Sequence, residues 1–373
     1  MTDRFDAVVV GGGLLGSAVG FGLADQGLKT AIVDQGDTAY RAARGNFGLV
    51  WVQSKGIGYP PYANWTMRSA ELWPELAARL LELTGLDVAL QQPGGLHICL
   101  SEAEMEDRRT KLERLAAHQE GRFKYEMLGR NAVAAMVPGI GPEVVGASFC
   151  PHDGHVNPLR LMRALQDGFA KLGGRMVIGA TVSDIATGPD GFRIAAGERT
   201  LTSTKVVLAA GLGNRALAPL IGLDQPVRPV KGQVLVTERI AETLDFPVSQ
   251  LRQTDEGTIM LGSSEEEVGF DVSTTADVVR RIADRARRAM PALADVNIVR
   301  TWAALRVMTP DGFPIYDQSE EFPGAFAMSC HSGVTLAAAH ALVFARDVAA
   351  GELGEDLSGL SRRRFDVPSS QTA

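Results

Sequence analysis

The sequence predicts an α/β chain in which a discontinuous dinucleotide-binding domain carries an inserted, mostly antiparallel α+β domain. Three observations lead there. Near the N-terminus the apolar run Ala7-Val8-Val9-Val10 meets Gly11-Gly12-Gly13-Leu14-Leu15-Gly16, and 34 − 16 = 18 residues past Gly16 the strand-like Ala31-Ile32-Val33 ends in Asp34. Residues 227–307 alternate between strand and turn signals, and from Ala325 the style of the beginning returns as strand, glycine turn and helix.

Each element follows in order. Gly11 and Gly13 let the backbone turn tightly and approach a pyrophosphate, Gly16 permits close helix–strand packing, and a helix over 14–27 aims its positive end at the phosphates. Asp34 then accepts hydrogen bonds from an adenosine ribose. An acid there, rather than an arginine for a 2′-phosphate, favours NAD or FAD. Residues 41–49 are too glycine-rich for a regular element and read as a loop over the cofactor, ahead of an aromatic stretch at 51–62. Helical spacing of Trp65, Leu72, Trp73, Leu76, Leu80, Leu81 and Leu83 predicts a helix over 63–84. A strand over 93–100 and a charged helix over 102–119 follow, and Pro138 and Pro142 break the chain. Asn157 caps a helix that opens with Pro158 and stops before Gly173-Gly174. Extended segments at 175–178, 181–185 and 205–211 come next, the last ending in Ala210-Gly211, at the strand end where open α/β sheets bind ligands. Strands at 233–237, 250–253, 258–262 and 297–305 and a helix over 276–290 belong to the inserted part. A final helix runs over 334–349, and the tail 368–373 reads as disordered. The nucleotide domain accordingly takes 1–85, 150–222 and 306–373, and the substrate domain 86–149 and 223–305.

Composition narrows the function. The 373 residues carry 37 Lys plus Arg against 44 Asp plus Glu, a net charge of −7 that does not suit a nucleic-acid surface. No apolar run reaches eighteen residues, and the chain enters a strand too early to leave room for a signal peptide, so a cytoplasmic location is expected. Cys99, Cys150 and Cys330 are odd in number and far apart, which suits neither disulfides nor a metal site. No Ser-His-Asp order or paired-carboxylate motif competes with nucleotide-cofactor chemistry.

Taken together, these stretches resemble the D-amino-acid-oxidase-like family of FAD enzymes, which includes glycine oxidase, sarcosine oxidase and D-amino-acid dehydrogenase. Within it, residues 226–238 and 261–271 are most similar to the FAD subunits of hydrogen cyanide synthase and of opine and hydroxyproline dehydrogenases. The resemblance implies a glycine-oxidase-like fold and FAD rather than NAD. It also implies sites: Gly11, Gly13, Leu14, Leu15 and Gly16 at the pyrophosphate, Asp34 and Gln35 at the ribose, and Val182 at the adenine. Ala43, Arg44, Asn46, Phe47, Gly48 and Leu49 match the flavin loop, with Phe47 where a small residue is usual. Ala210 and Gly211 lie beside the cofactor, and Ser332, Gly333, Val334, Thr335 and Leu336 follow His331 in a second flavin turn. Members with covalent flavin use a cysteine shortly before the Thr309-Pro310-Asp311-Gly312 match; none stands there, so noncovalent FAD is expected.

The chemistry expected of this site needs few side chains. Backbone N–H groups around Gly333, at a helix start, supply partial positive charge for the reduced flavin. Arg306 occupies the position from which family members clamp a substrate carboxylate, a task suited to a planar guanidinium. Arg252 takes a second anionic group or is structural. His331 faces the flavin or the substrate amine, or else packs as a hydrogen-bonded core histidine. Trp51, Tyr59 and Tyr62 wall the pocket or fill the core, with Tyr62 the substrate-contact candidate. The expected reaction moves a hydride from the Cα–H of a small amino or imino acid to the flavin, and the imine then hydrolyses. Two alternatives stand beside it: a 2-hydroxy-acid oxidoreductase, and an FAD subunit active only in a hetero-oligomer. Oxygen, a quinone or a partner subunit would reoxidise the flavin, and homo- or hetero-oligomers are both open.

Overall fold

The computed structural model describes residues 3–36, 42–241 and 243–366, and leaves the side chain of Arg44 undescribed. The predicted tail at 368–373 lies outside the described residues.

Six strands form the main path of an eight-stranded sheet, in the order Ile315–Gln318, Ala325–Ser329, Arg199–Leu208, Asp3–Val10, Thr30–Asp34 and Arg175–Ile178. Asp3–Val10 pairs in parallel with Arg199–Leu208 on one side and Thr30–Asp34 on the other. The remaining two strands, Val182–Gly188 and Gly191–Ala196, form a hairpin that continues antiparallel from Arg199–Leu208. Ala7, Val8, Val9 and Val10 are all buried because the sheet is covered on both faces, as continuous apolar runs in parallel strands require. Ala7 and Val9 join the core formed with the helices Leu14–Asp25, Pro60–Thr84 and Pro158–Lys171, while Val8 and Val10 join the core beneath the hairpin.

Two glycines are required sterically. Gly11 has φ +106°, and a Cβ there would lie 2.4 Å from the Ala209 carbonyl oxygen. A Cβ at Gly16 would lie 1.8 Å from the Gly11 carbonyl oxygen, so the first helix can sit this close to the turn only with glycine at that position.

A second, four-stranded sheet is antiparallel, in the order Leu251–Gln253, Thr258–Gly262, Arg228–Arg239 and Ile298–Met308. A three-stranded sheet, Gly95–Cys99, Gly146–Cys150 and Glu126–Gly129, touches it through the bridge between Leu96 and Val248. The strand expected at 297–305 runs on to Met308 and so contains Arg306. The helix expected from 334 begins at Ala337, because Leu336 N–H bonds to Ser332 O and Ala337 N–H to Val334 O, closing turns ahead of it. The helix expected from 63 starts three residues earlier, at Pro60, where proline suits the first turn.

Candidate active site

A cavity of about 620 Å³ opens where the glycine turn, the 42–48 loop, the antiparallel sheet and the 329–333 turn converge. Of the residues expected at the cofactor, Gly11, Gly13, Leu14, Leu15, Asp34, Gln35, Ala43, Asn46, Phe47, Val182, Ala210, Gly211 and Gly333 line it, as do Arg306 and His331.

The turn is held rigidly. Asp34 is buried and accepts from Gly12 N–H at 2.7 Å and Gly36 N–H at 2.8 Å, so its carboxylate is oriented by the turn that contains the glycines. A Cβ on Gly13 would meet nothing within 4 Å, which leaves the backbone open toward the cavity. In the 42–48 loop, Gly48 N–H bonds to Asn46 Oδ1 at 2.9 Å in a side-chain-closed turn, and Gly48 and Leu49 lie against Val156 and His155 rather than on the cavity wall.

Arg306 reaches the cavity from its strand because Gly232 on the neighbouring strand has no side chain; a Cβ there would lie 2.5 Å from Nη1. Nη1 donates to Ser264 O at 2.8 Å and Lys231 O at 3.3 Å, and Nη2 to Ser263 Oγ at 2.9 Å. A guanidinium has five N–H donors, so two are left for a ligand. Among the described residues no carboxylate pairs with it. The site therefore holds a fixed, half-buried positive charge aimed into a cavity.

His331 stands beside it. Burial, reinforced by the nearby Lys55 and Arg306 charges, holds its pKa well below the usual value, so the ring is neutral. Its Nε2 is 3.1 Å from Lys55 Nζ and 3.3 Å from Ser332 Oγ, and Ser332 Oγ is 2.8 Å from the Tyr62 hydroxyl.

Several expected contacts are corrected by this geometry. Tyr62 is 1% exposed and sits behind Ser332 against Phe313, its ring centroids 5.5 Å apart; it is a support and not a wall of the cavity. Arg252 is buried away from the cavity. Its Nε donates to Phe47 O at 2.7 Å, and its other nitrogens meet His155 Nδ1 at 3.3 Å and Met260 Sδ at 2.9 Å, so it braces the 42–48 loop and does not offer an anion site. Val334, Thr335 and Leu336 are buried too. Thr335 Oγ1 accepts from Trp51 N–H and donates to Leu49 O, while its carbonyl accepts from Ser69 Oγ and Trp73 Nε1, tying the turn to the loop and to the Pro60–Thr84 helix. Gly16 packs behind the turn. Arg44 cannot be placed because its side chain lies outside what is described.

Residue-by-residue reading of the sequence missed Lys55, Gly232 and Ser263. Gly232 and Ser263 lie in the stretches 226–238 and 261–271 that carry the family resemblance, and Lys55 is a lone cation in Gln53-Ser54-Lys55-Gly56. It is set in place by a buried network: Asp153 accepts from Val52 N–H at 2.5 Å and Gln53 Nε2 at 2.6 Å, and Arg108 Nη2 donates to Gln53 O at 2.8 Å.

Whether these residues fit a flavin nucleotide can be tested on the backbone. The N–H groups of Gly333, Val334 and Thr335 have no acceptor among the described residues, an unusual state for such buried backbone and one that suits an anionic or carbonyl-bearing group. Together with the open glycine turn and its oriented acid, they fit FAD.

Comparison with known proteins agrees. A family profile described as FAD dependent oxidoreductase matches residues 6–346. An opine oxidase subunit of Agrobacterium tumefaciens (strain Ach5) is 46% identical over 361 residues, covering 96% of this chain and 97% of that protein. Glycine oxidase of Geobacillus kaustophilus (strain HTA426) is 28% identical and covers 98% of each. The crystal structure of glycine oxidase from Geobacillus kaustophilus superimposes with a TM-score of 0.87 at 26% identity, over 96% of this chain and 98% of that one. From the cavity, its glycine turn and these matches together, the chain belongs to the FAD-dependent oxidoreductase family typified by D-amino-acid-oxidase-like enzymes.

Proposed function

We propose that this FAD-dependent oxidoreductase oxidises the C–N bond of a small amino or imino acid, with opine-type secondary amines the favoured class. The observation that carries this reading is Arg306: a fixed guanidinium without a carboxylate partner among the described residues, on the wall of the cavity that the glycine turn opens. Similarity to a protein of opine oxidation supports the substrate class.

Bound FAD supplies the two-electron acceptor for a hydride. The chain's own residues do the rest. Gly11, Gly13, Leu14 and Leu15 would hold the pyrophosphate, Asp34 and Gln35 the ribose and Val182 the adenine, with Ala210 and Gly211 beside the cofactor. Ala43, Asn46, Phe47 and the Gly333 turn would hold the ring. Arg306 binds the substrate carboxylate and fixes the Cα–H, so that positioning contributes most of the rate. The backbone N–H groups at 333–335 would supply partial positive charge beside the ring. The segments 1–85, 150–222 and 306–373 form the cofactor domain in this reading, and 86–149 with 223–305 the substrate domain. FAD is held noncovalently: burial pushes the Cys330 thiol on the cavity wall up to about 12, which keeps it protonated and unreactive.

A second reading also has support. The two opine oxidase relatives each carry the name of one component of an oxidase, which motivates a chain that turns over fully only beside a partner, which would accept the electrons. No described helix is long and apolar enough to cross a membrane, and a cytoplasmic location suits this chemistry. Cell fractionation checks the location. The functional test is anaerobic: the yellow protein is mixed with glycine, proline, iminodiacetate and an opine, and the flavin band followed. Bleaching with release of a keto acid and an amine supports the proposal; bleaching only by 2-hydroxy acids, or none across the panel, refutes it. Turnover by the single chain with an artificial acceptor, equal to that in a crude extract, removes the obligate-partner reading.

A further inference from the structure

Lys55 lies one hydrogen bond behind the cavity wall. Its Nζ is 3.1 Å from His331 Nε2, and His331 lines the cavity beside Arg306. The same ring nitrogen is 3.3 Å from Ser332 Oγ, which is itself 2.8 Å from the Tyr62 hydroxyl. Nε2 faces Lys55, and toward a neutral lysine amine it is the ring N–H that donates. The backbone leading into it is clamped by the Asp153–Gln53–Arg108 network and by Lys55 N–H, which donates to Val52 O at 2.9 Å. A half-buried lysine held at fixed distance from a cavity histidine is more than a solvated surface charge.

An amino or imino acid dissolves as its ammonium form, which has no lone pair on nitrogen with which to expel a hydride from Cα. One proton must leave first. We propose that Lys55, acting through His331, takes the proton that the bound substrate nitrogen must lose before its Cα–H is oxidised. In this step a substrate N–H bond breaks, its electron pair stays on the substrate nitrogen, and a new N–H bond forms on the Lys55 amine. His331 relays the proton by accepting at Nδ1 while its Nε2 proton passes to Lys55, so the ring ends neutral as its other tautomer. The inference rests on the amine-oxidising reading above.

The electrostatics agree with that geometry. His331 cannot store the proton, because burial and its two cationic neighbours hold it neutral. Lys55 can. Burial first, and Arg306 second, lower its ammonium to about 8, while Cys330, Glu265 and Asp153 pull in the opposite direction. A fraction of Lys55 is thus already neutral near physiological pH and able to accept. Arg306, close to the bound substrate, also disfavours the ammonium form of its nitrogen. Lys55 acts through another residue and is a positioning and proton-holding group.

The test is the pH dependence of anaerobic flavin reduction by iminodiacetate and glycine, read as the second-order rate constant from pH 6 to 10 in the FAD-bound full chain. The wild type is expected to gain about tenfold per pH unit and to level off near pH 8, as expected when one base must be deprotonated. Lys55→Met and Lys55→Arg should both lose that break, track the substrate's own amine above pH 9, and fall about tenfold or more at pH 8. Flavin content and melting temperature report whether each variant is folded. If Lys55→Arg restores the wild-type profile, Lys55 is only a fixed charge and the proposal is overturned. It is equally overturned if Lys55→Met keeps the break. Should both variants fail to fold, a wild-type profile without a break between pH 7 and 9 overturns it alone. Failure of every amino and imino acid to reduce the wild-type flavin brings down the functional reading itself, which is a different result from reduction with an unaltered limb in the variants.

Discussion

Replacing Arg306 by Met removes the guanidinium while keeping a long apolar side chain, and the structure allows the size of the effect to be worked out. Three of its N–H groups are spent on Ser264 O, Lys231 O and Ser263 Oγ. Ser263 is exposed, so water can replace the lost donor there, and the cost to folding should stay near or below about 1 kcal/mol. The remaining two donors are the ones offered to a substrate carboxylate. Charge-assisted hydrogen bonds contribute about 1.5–3 kcal/mol each, and a half-buried site retains part of that, so about 2–4 kcal/mol of substrate binding should disappear. At about 1.4 kcal/mol per tenfold, that is a loss of roughly 30- to 1000-fold. The assay is the apparent dissociation constant for the reducing substrate in anaerobic stopped-flow, with flavin content and melting temperature measured alongside. Arg306→Lys should recover only part of the loss, since an ammonium has no planar fork. A dissociation constant within about threefold of the wild type in the folded, flavin-containing Met variant would refute the assignment.

Four further outcomes follow from the same geometry. Gly16→Ala puts a methyl group 1.8 Å from the Gly11 carbonyl oxygen, so the first helix must move off the turn, and the purified variant should have a much lower flavin-to-protein absorbance ratio. Arg252→Met strips the brace from Phe47 O and should lower stability by about 2–4 kcal/mol in denaturant melts, yet leave the preference between mono- and dicarboxylate substrates unchanged; a selective loss of dicarboxylates would restore its anion-binding role. Burial raises Asp153 to about 7, so the folded state holds a proton that the unfolded chain releases at ordinary carboxylate pH. Its contribution is full at low pH and is lost as pH rises toward 7; the wild-type melting temperature should therefore fall relative to that of Asp153→Asn across pH 4–7, and a constant difference would contradict this. Acid denaturation should release all of the flavin into the supernatant, and any left on the protein after precipitation would mean a covalent link.

The parts of the site that were legible in the sequence are those whose residues are neighbours along the chain. The glycine turn, its helix and Asp34 lie within one local unit, and Gly11 and Gly16 have steric reasons visible in their spacing. Arg252 and Arg306 show where such reading stops. Both are arginines on strands of the same sheet, and their difference lies in what crosses them: Gly232 leaves room for Arg306 to reach the cavity, whereas the Phe47 carbonyl captures Arg252. The final helix was expected from 334, after the glycine turn, but Val334 and Leu336 are buried in turns that tie Thr335 to Trp51 and Leu49. Lys55 and His331 are 276 positions apart, and no local pattern foretells their 3.1 Å contact.

The central claim is that the glycine turn and the 329–335 turn hold one flavin, with Arg306 opposite its reactive face. A crystal structure of the FAD-bound chain with a non-reducing carboxylate, such as acetate or a substrate analogue, tests this most directly. The ring should lie against the backbone of Gly333, with the carboxylate within about 3 Å of the Arg306 guanidinium. A carboxylate seated on Arg252, or a flavin ring that leaves the 333–335 N–H groups without an acceptor, would contradict it.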